Sequence, residues 1–240
     1  MSRAFVCVAC VVGLVAGQSS ESNFTPARFR DGRCPATPIA AVSGGEVFVE
    51  LDVDADGYVT RATPLRVTQP FTEYVLQAVG DWRFFPAMDV VGGDAARSGK
   101  PTPRTTVPSN VLVAAVFRPP TLIGPTLGEL PKDVAPGSNA VPVPVAAPMP
   151  GFPPTSMSGG TVMLEVHVSA AGTVLDVGVV ESSPPFDDSA MAAVREWRFR
   201  PARVHGDPTD SFAYAIVAFR MPVGGETPTL LHRPLRHADQ

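Results

Sequence analysis

The feature that most constrains this chain is an internal repeat. Gly44-Gly45-Glu46-Val47 through Asp56-Gly57-Tyr58-Val59 returns 115 residues later as Gly159-Gly160-Thr161-Val162 through Ala171-Gly172-Thr173-Val174. The register holds without a gap through Trp82-Arg83-Phe84 and Trp197-Arg198-Phe199, and on to Pro86-Ala87 and Pro201-Ala202. The first copy then carries an insertion rich in Gly, Pro and Thr, and the copies rejoin at Val116-Phe117-Arg118 and Ala218-Phe219-Arg220. A chain written this way is expected to fold as two copies of one small unit.

Each copy reads as strand, hairpin, strand, helix, strand. Val47, Val49, Leu51 and Val53 alternate with Phe48, Glu50 and Asp52, and Val162, Leu164, Val166 and Val168 alternate in the same way. A period of two over eight residues is the pattern of a half-buried strand. Gly57 and Gly172 sit where a tight hairpin turn is needed. Ala190, Ala193, Val194 and Trp197 then fall at helical spacing on one apolar stripe. Asp187 or Asp188 stands at the expected N-cap and Pro201 closes the far end. Gly80 is expected to interrupt the helix of the first copy, at about 1 kcal/mol relative to Ala. Val111–Phe117 and Phe212–Phe219 read as the last strands. Trp82 and Trp197 are the expected structural anchors, since an indole burying 150–250 Å² at about 25 cal/mol/Å² contributes roughly 4–6 kcal/mol. The expected class is therefore α+β: two small modules, each an antiparallel sheet of about three strands covered by one helix.

Proline organises the remainder. There are 27 among 240 residues, about twice ordinary usage, and helix and central-strand interiors reject them. Eleven fall between Pro119 and Pro154, a composition that favours an extended, semi-rigid spacer. The expected organisation is a signal peptide at 1–17, a first module at 36–120, a proline-rich linker at 121–150, a second module at 151–222 and a loose tail at 223–240. The apolar run from Ala4 to Gly17 holds 14 residues. At 1.5 Å per residue it reaches only about 21 Å, short of a bilayer core of about 30 Å. Small residues at Val15-Ala16-Gly17 suit cleavage before Gln18. Cys7 and Cys10 lie inside that segment, so Cys34 alone would remain, as a free thiol or an intermolecular bridge.

Catalytic and metal chemistry finds no nominee. Asp52-Val53-Asp54-Ala55-Asp56-Gly57 matches the start of a calcium loop, yet Thr63 stands where the bidentate Glu belongs, and a hairpin turn accounts for the stretch. His167, His205, His232 and His237 lack metal-ligand spacing. No nucleophile elbow, phosphate loop or dinucleotide fingerprint occurs. A net charge of −4, from 19 basic and 23 acidic residues, leaves no electrostatic footprint for nucleic acid. Arg83 and Arg198 follow the tryptophans, suited either to a partner carboxylate or to the negative end of the helix dipole. Neither catalytic residues nor cofactors are expected.

The string from Gly160-Thr161-Val162, the Gly172 turn, Val179-Val180-Glu181-Ser182-Ser183, Ala193-Val194-Arg195 and Trp197-Arg198-Phe199-Arg200-Pro201-Ala202 closely resemble the TonB C-terminal domain family. The resemblance covers about residues 159–222 and, more loosely, 44–119. It implies a periplasmic α/β module whose sheet edge pairs with a short extended segment of an outer-membrane transporter, a form of strand addition. A family energy transducer has a membrane-spanning N-terminal helix followed by a long proline-rich reach. Here the apolar run is short and the proline-rich stretch separates the two copies. The expected protein is thus exported, periplasmic or secreted, non-enzymatic, and binds extended peptide segments at the last strand of the second copy, around Tyr214, Ile216 and Ala218, with Arg198 nearby. Two alternatives stand beside it. One is an energy transducer held in the inner membrane by a retained N-terminal segment. The other is a structural module whose two edges pair with each other, within the chain or across a dimer.

Overall fold

Alternating strands, glycine turns and a short amphipathic helix form twice in the chain. The computed structural model describes residues 24–38, 43–90, 103–119, 139–154, 156, 158–204 and 206–220. The expected signal peptide, the tail at 223–240 and the linker up to residue 138 lie outside the described residues. The first half runs β1 (Arg28–Asp31), β2 (Gly45–Val53), β3 (Val59–Arg66), α1 (Phe71–Gly80), β4 (Arg83–Phe85), β5 (Ala87–Val90), β6 (Arg104–Val107) and β7 (Ser109–Phe117). The second runs β8 (Val143–Ala146), β9 (Gly160–Val168), β10 (Val174–Glu181), α2 (Asp187–Arg195), β11 (Arg198–Arg200), β12 (Ala202–Val204), β13 (Asp207–Thr209) and β14 (Ser211–Phe219).

The hairpin turns explain why glycine is required. Gly57 has φ +89° and Gly172 φ +80°, a region that side chains with a Cβ rarely enter. A Cβ there would overlap the carbonyl oxygen of Phe84 or Phe199. Each glycine carbonyl accepts the amide of the same phenylalanine, at 2.9 Å from Phe84 and 2.8 Å from Phe199. Around the first turn, Asp54 Oδ1 accepts the amides of Asp56 and Tyr58 at 3.0 and 2.8 Å. Ser169 Oγ accepts those of Ala171 and Thr173 around the second. The Asp54 carboxylate, at the third position of the would-be calcium loop, is thus spent on the turn, and that of Asp52, at its first, on Arg61 and Asn110. Among the described residues no cluster of His, Cys, Asp and Glu could hold a metal ion.

Two expectations about the helices need correction. Phe186, not an aspartate, occupies the N-cap position of α2. Asp187 is already helical and reaches back, its carboxylate accepting the Ser183 amide at 2.8 Å and the Ser182 hydroxyl. Gly80 does not interrupt α1 but ends it, and a Cβ there would meet nothing within 4 Å. Gly80→Ala is accordingly expected to raise stability by about 0.4–1 kcal/mol, chiefly by restricting the unfolded chain. Urea denaturation checks this; an unchanged or lower midpoint contradicts it.

The larger correction concerns the sheet. Instead of two separate three-stranded sheets there is one sheet of six strands, in the order β10-β9-β14-β7-β2-β3. All its pairings are antiparallel except the central one, where β14 runs parallel to β7 from Ala213 opposite Leu112 to Ala218 opposite Phe117. Parallel neighbours exchange by a half-turn about an axis along the strands, and that operation swaps the two faces of the sheet. The helices of the two halves therefore pack on opposite faces. Phe71, Val75 and Val79 of α1 share a core with Val47, Val49, Val113 and Phe117. Ala190 and Val194 of α2 share the other with Val162, Leu164, Val166 and Val217. Each core runs on across the seam: Met163, Tyr214, Ile216 and Ala218 join the α1 side, while Phe48, Leu112, Ala114 and Val116 join the α2 side. Phe48, which strand alternation pointed outward, is fully buried for this reason.

The segments leading into each half complete the cover. β1 pairs with β4 and β8 with β11. Trp82 Nε1 donates to the carbonyl of Arg33 at 2.9 Å, and Trp197 Nε1 to that of Pro148 at 3.2 Å. Arg33 and Pro148 are again 115 residues apart. Val141, Val143 and Ala147 are buried in the α2-side core. Residues 139–150, expected as spacer, are therefore built into the fold, and each unit begins before the expected boundaries at 36 and 151. The physical reason is that half of each central strand face would otherwise meet water.

A candidate partner-binding edge

The strand expected to offer a docking edge is internal. β14 is hydrogen-bonded to β9 on one side and to β7 on the other. Tyr214, Ile216 and Ala218 are buried. The Tyr214 hydroxyl accepts the Phe29 amide at 2.6 Å and donates to Glu165 Oε2 at 3.0 Å. Burial pushes this phenol well above its ordinary range, with the Glu165 carboxylate adding to the shift against the Phe29 donor. Glu165 is also gripped by the Arg28 guanidinium. These residues belong to the seam and its cover. A signal for this was available: Val111–Phe117 and Ala213–Phe219 are apolar at every position rather than alternating, which is how strands buried on both faces read.

The other singled-out residues have structural places. Arg198 donates from its guanidinium to the carbonyls of Glu196 and Trp197 at 3.2 and 2.9 Å, and Arg83 does the same to Asp81 and Trp82. Both arginines satisfy the carbonyls that a helix end leaves open. Trp82 and Trp197 are fully buried anchors, as expected. Cys34 packs beside Glu181, whose carboxylate accepts the Cys34 amide at 3.3 Å. Burial and that carboxylate push the thiol far above its ordinary range, which disfavours a reactive thiolate. His167 stacks on Phe212 at 4.7 Å between ring centroids.

The sheet ends in β3 and β10, and the repeat makes them a matched pair. β3 is blunted. Pro64 removes a backbone donor, Arg61 is paired with Asp52 at 2.6 Å, and Arg66 with Glu46 at 2.7 Å. Prolines and inward-turned charges are how natural sheets protect an edge. Glu46 is itself buried, and desolvation raises its carboxyl above the ordinary range despite the neighbouring Arg66. At the equivalent positions β10 has Val179 for Pro64, Asp176 for Arg61 and Glu181 for Arg66. Leu175, Val179 and Val180 are 54%, 41% and 37% exposed. Within the sheet β10 bonds to β9 alone.

Residues 156–221 match the family model of the Gram-negative bacterial TonB protein C-terminal. That stretch runs from just before β9 through β14, so it holds the second half of the sheet with β10 at its rim. The second half is TonB-like. No curated protein matches the chain. Among the described residues no helix is long and apolar enough to cross a membrane.

Proposed function

We propose that this chain is a non-enzymatic, TonB-like interaction protein of the bacterial envelope that captures an extended segment of a partner protein by strand addition at β10. The TonB C-terminal family is one of protein-interaction domains acting with outer-membrane transporters, which makes a transporter segment the leading partner. The observation that carries the reading is the contrast between the two rims: β3 is blocked by Pro64 and two ion pairs, while β10 is proline-free and presents exposed Leu175, Val179 and Val180. Strand addition draws affinity from main-chain hydrogen bonds and selectivity from alternate side chains. One short strand is a small contact, so binding is expected to be modest and transient. Export by a cleaved N-terminal segment is part of the reading. A mature chain that begins at Met1 and sediments with membranes would favour the anchored energy transducer instead.

A structural reading has one observation in its favour: the last strands of the two halves already occupy each other. Hydrogen exchange on the intact chain separates the readings. The amides of β10 that point away from β9 are expected to exchange rapidly alone and to gain protection with millimolar transporter-derived extended peptide, while those of Ser211–Phe219 stay protected throughout. Protection of those outward amides without any peptide would leave the structural reading.

A further inference from the structure

We infer that the segment accepted by β10 is basic: an extended apolar stretch flanked by lysine or arginine. This rests on the reading of β10 as the docking edge and adds the chemistry of what docks. Asp176 and Glu181 stand five positions apart on β10, both exposed. The register shift after Val179 sets them opposite His167 and Met163, four positions apart on β9, so at about 3.3 Å per residue they bracket roughly 13 Å of edge on one face, with Leu175, Val179 and Val180 as the apolar part between and beside them. The same positions of β3 carry Arg61 and Arg66, each neutralised by an acid on β2. On β10 the charge sign is reversed, and among the described residues no ion pair neutralises Asp176 or Glu181: His167 of β9, opposite Asp176 in the register, stands against Asp210 at 3.9 Å, and Arg28 of β1 is committed to Glu165. The helix packed on β10 adds Asp187 and Asp188 in its first turn, and its one cation, Arg195, lies in its last. The lead-in segment contributes Arg33, next to the Cys34 amide that reaches Glu181.

This pattern also argues against a second copy as the occupant. Two β10 strands laid antiparallel would line up four carboxylates along one short strip, and like charges facing across strands are destabilising. A segment with a cation near each end instead forms two facing opposite-charge pairs, together worth about tenfold in affinity.

The test uses the intact chain and three fluorescein-labelled peptides with one common Val-Thr-Val-Thr-Val centre, flanked on both sides by lysine, serine or glutamate. At low salt the lysine peptide is expected to bind about tenfold tighter than the serine peptide and tighter still than the glutamate peptide, with the differences shrinking toward high salt. A double variant, Asp176→Asn with Glu181→Gln, alters only exposed side chains and is expected to bring the lysine and serine peptides to equal affinity. Equal affinity of all three for the unaltered chain at low salt overturns the charge inference and leaves the docking edge standing. Binding of none of them, with the outward-facing amides of β10 unprotected, overturns both. A concentration-dependent dimer that protects those amides without peptide overturns the inference in favour of self-pairing.

Discussion

Ile216→Asp is expected to prevent the chain from folding at neutral pH. Ile216 lies on β14 between Met163 of β9 and Ala115 of β7 and is fully buried. Its side chain points to the α1 side of the sheet, the face away from α2, the helix of its own half. In a free-standing second unit that face would meet water and an aspartate there would cost little. In the six-stranded sheet it lies beneath the segment that carries Phe29 and beside the α1-side core. Losing the isoleucine costs about 2–5 kcal/mol, and an uncompensated carboxylate in that setting adds several more. Together these approach the roughly 5–15 kcal/mol that a domain of ordinary stability holds. Soluble expression and far-UV circular dichroism read the outcome. A cooperative melt within a few degrees of the unaltered chain would mean that this face of β14 is open. If the aspartate chain cannot be isolated, Ile216→Val gives the same information on a smaller scale, with an expected loss of about 0.5–1.5 kcal/mol. Leu175→Asp on exposed β10 is the control, expected to stay within about 0.5 kcal/mol.

What the sequence made legible was local. Strand alternation, the Gly57 and Gly172 turns, the short helices and the buried tryptophans follow from patterns a few residues long, and the structure has each of them. The seam stood only as an alternative, two edges pairing within the chain, because pairing two distant strands leaves no periodic mark. What it leaves instead is the loss of a mark: Val111–Phe117 and Ala213–Phe219 cease to alternate. Phe48 misled for the same reason, being an outward residue of its own unit that the other unit covers. Proline content also misled. Val143 and Pro144 suited an extended spacer, but an extended segment is equally what a short edge strand requires, and β8 pairs with β11. The candidate site moved accordingly. Tyr214, Ile216 and Ala218 lie on a C-terminal strand, which is often left unpaired, whereas the available edge emerges from comparing the two copies position by position. Pro64 against Val179 and Arg61 against Asp176 are visible in the sequence, but their meaning depends on knowing that both strands end the same sheet.

Trp197→Ala is expected to lower stability by about 3–5 kcal/mol, the usual cost of emptying a core site of that size, and to lower it for the whole chain. The indole is fully buried and ties α2 to the lead-in segment through its bond to the Pro148 carbonyl. Its removal leaves that carbonyl without its donor and loosens β8, whose Val143, with Val141 just before it, helps cover the α2-side core. That core includes Phe48, Leu112 and Val116 of the other half, so damage in one half is transmitted to its partner. The chain has two tryptophans, and in this variant Trp82 is left as the one tryptophan reporter, carried by the first half with its ring against Tyr214 of the second. Its fluorescence and the far-UV circular dichroism are expected to change at the same, lowered urea concentration. Trp82 fluorescence holding at the original midpoint while ellipticity falls earlier would show two independently stable units and contradict a shared sheet. Trp197→Phe separates packing from hydrogen bonding. It keeps a ring in the site but orphans the Pro148 carbonyl, and about 1–3 kcal/mol of loss is expected from that alone.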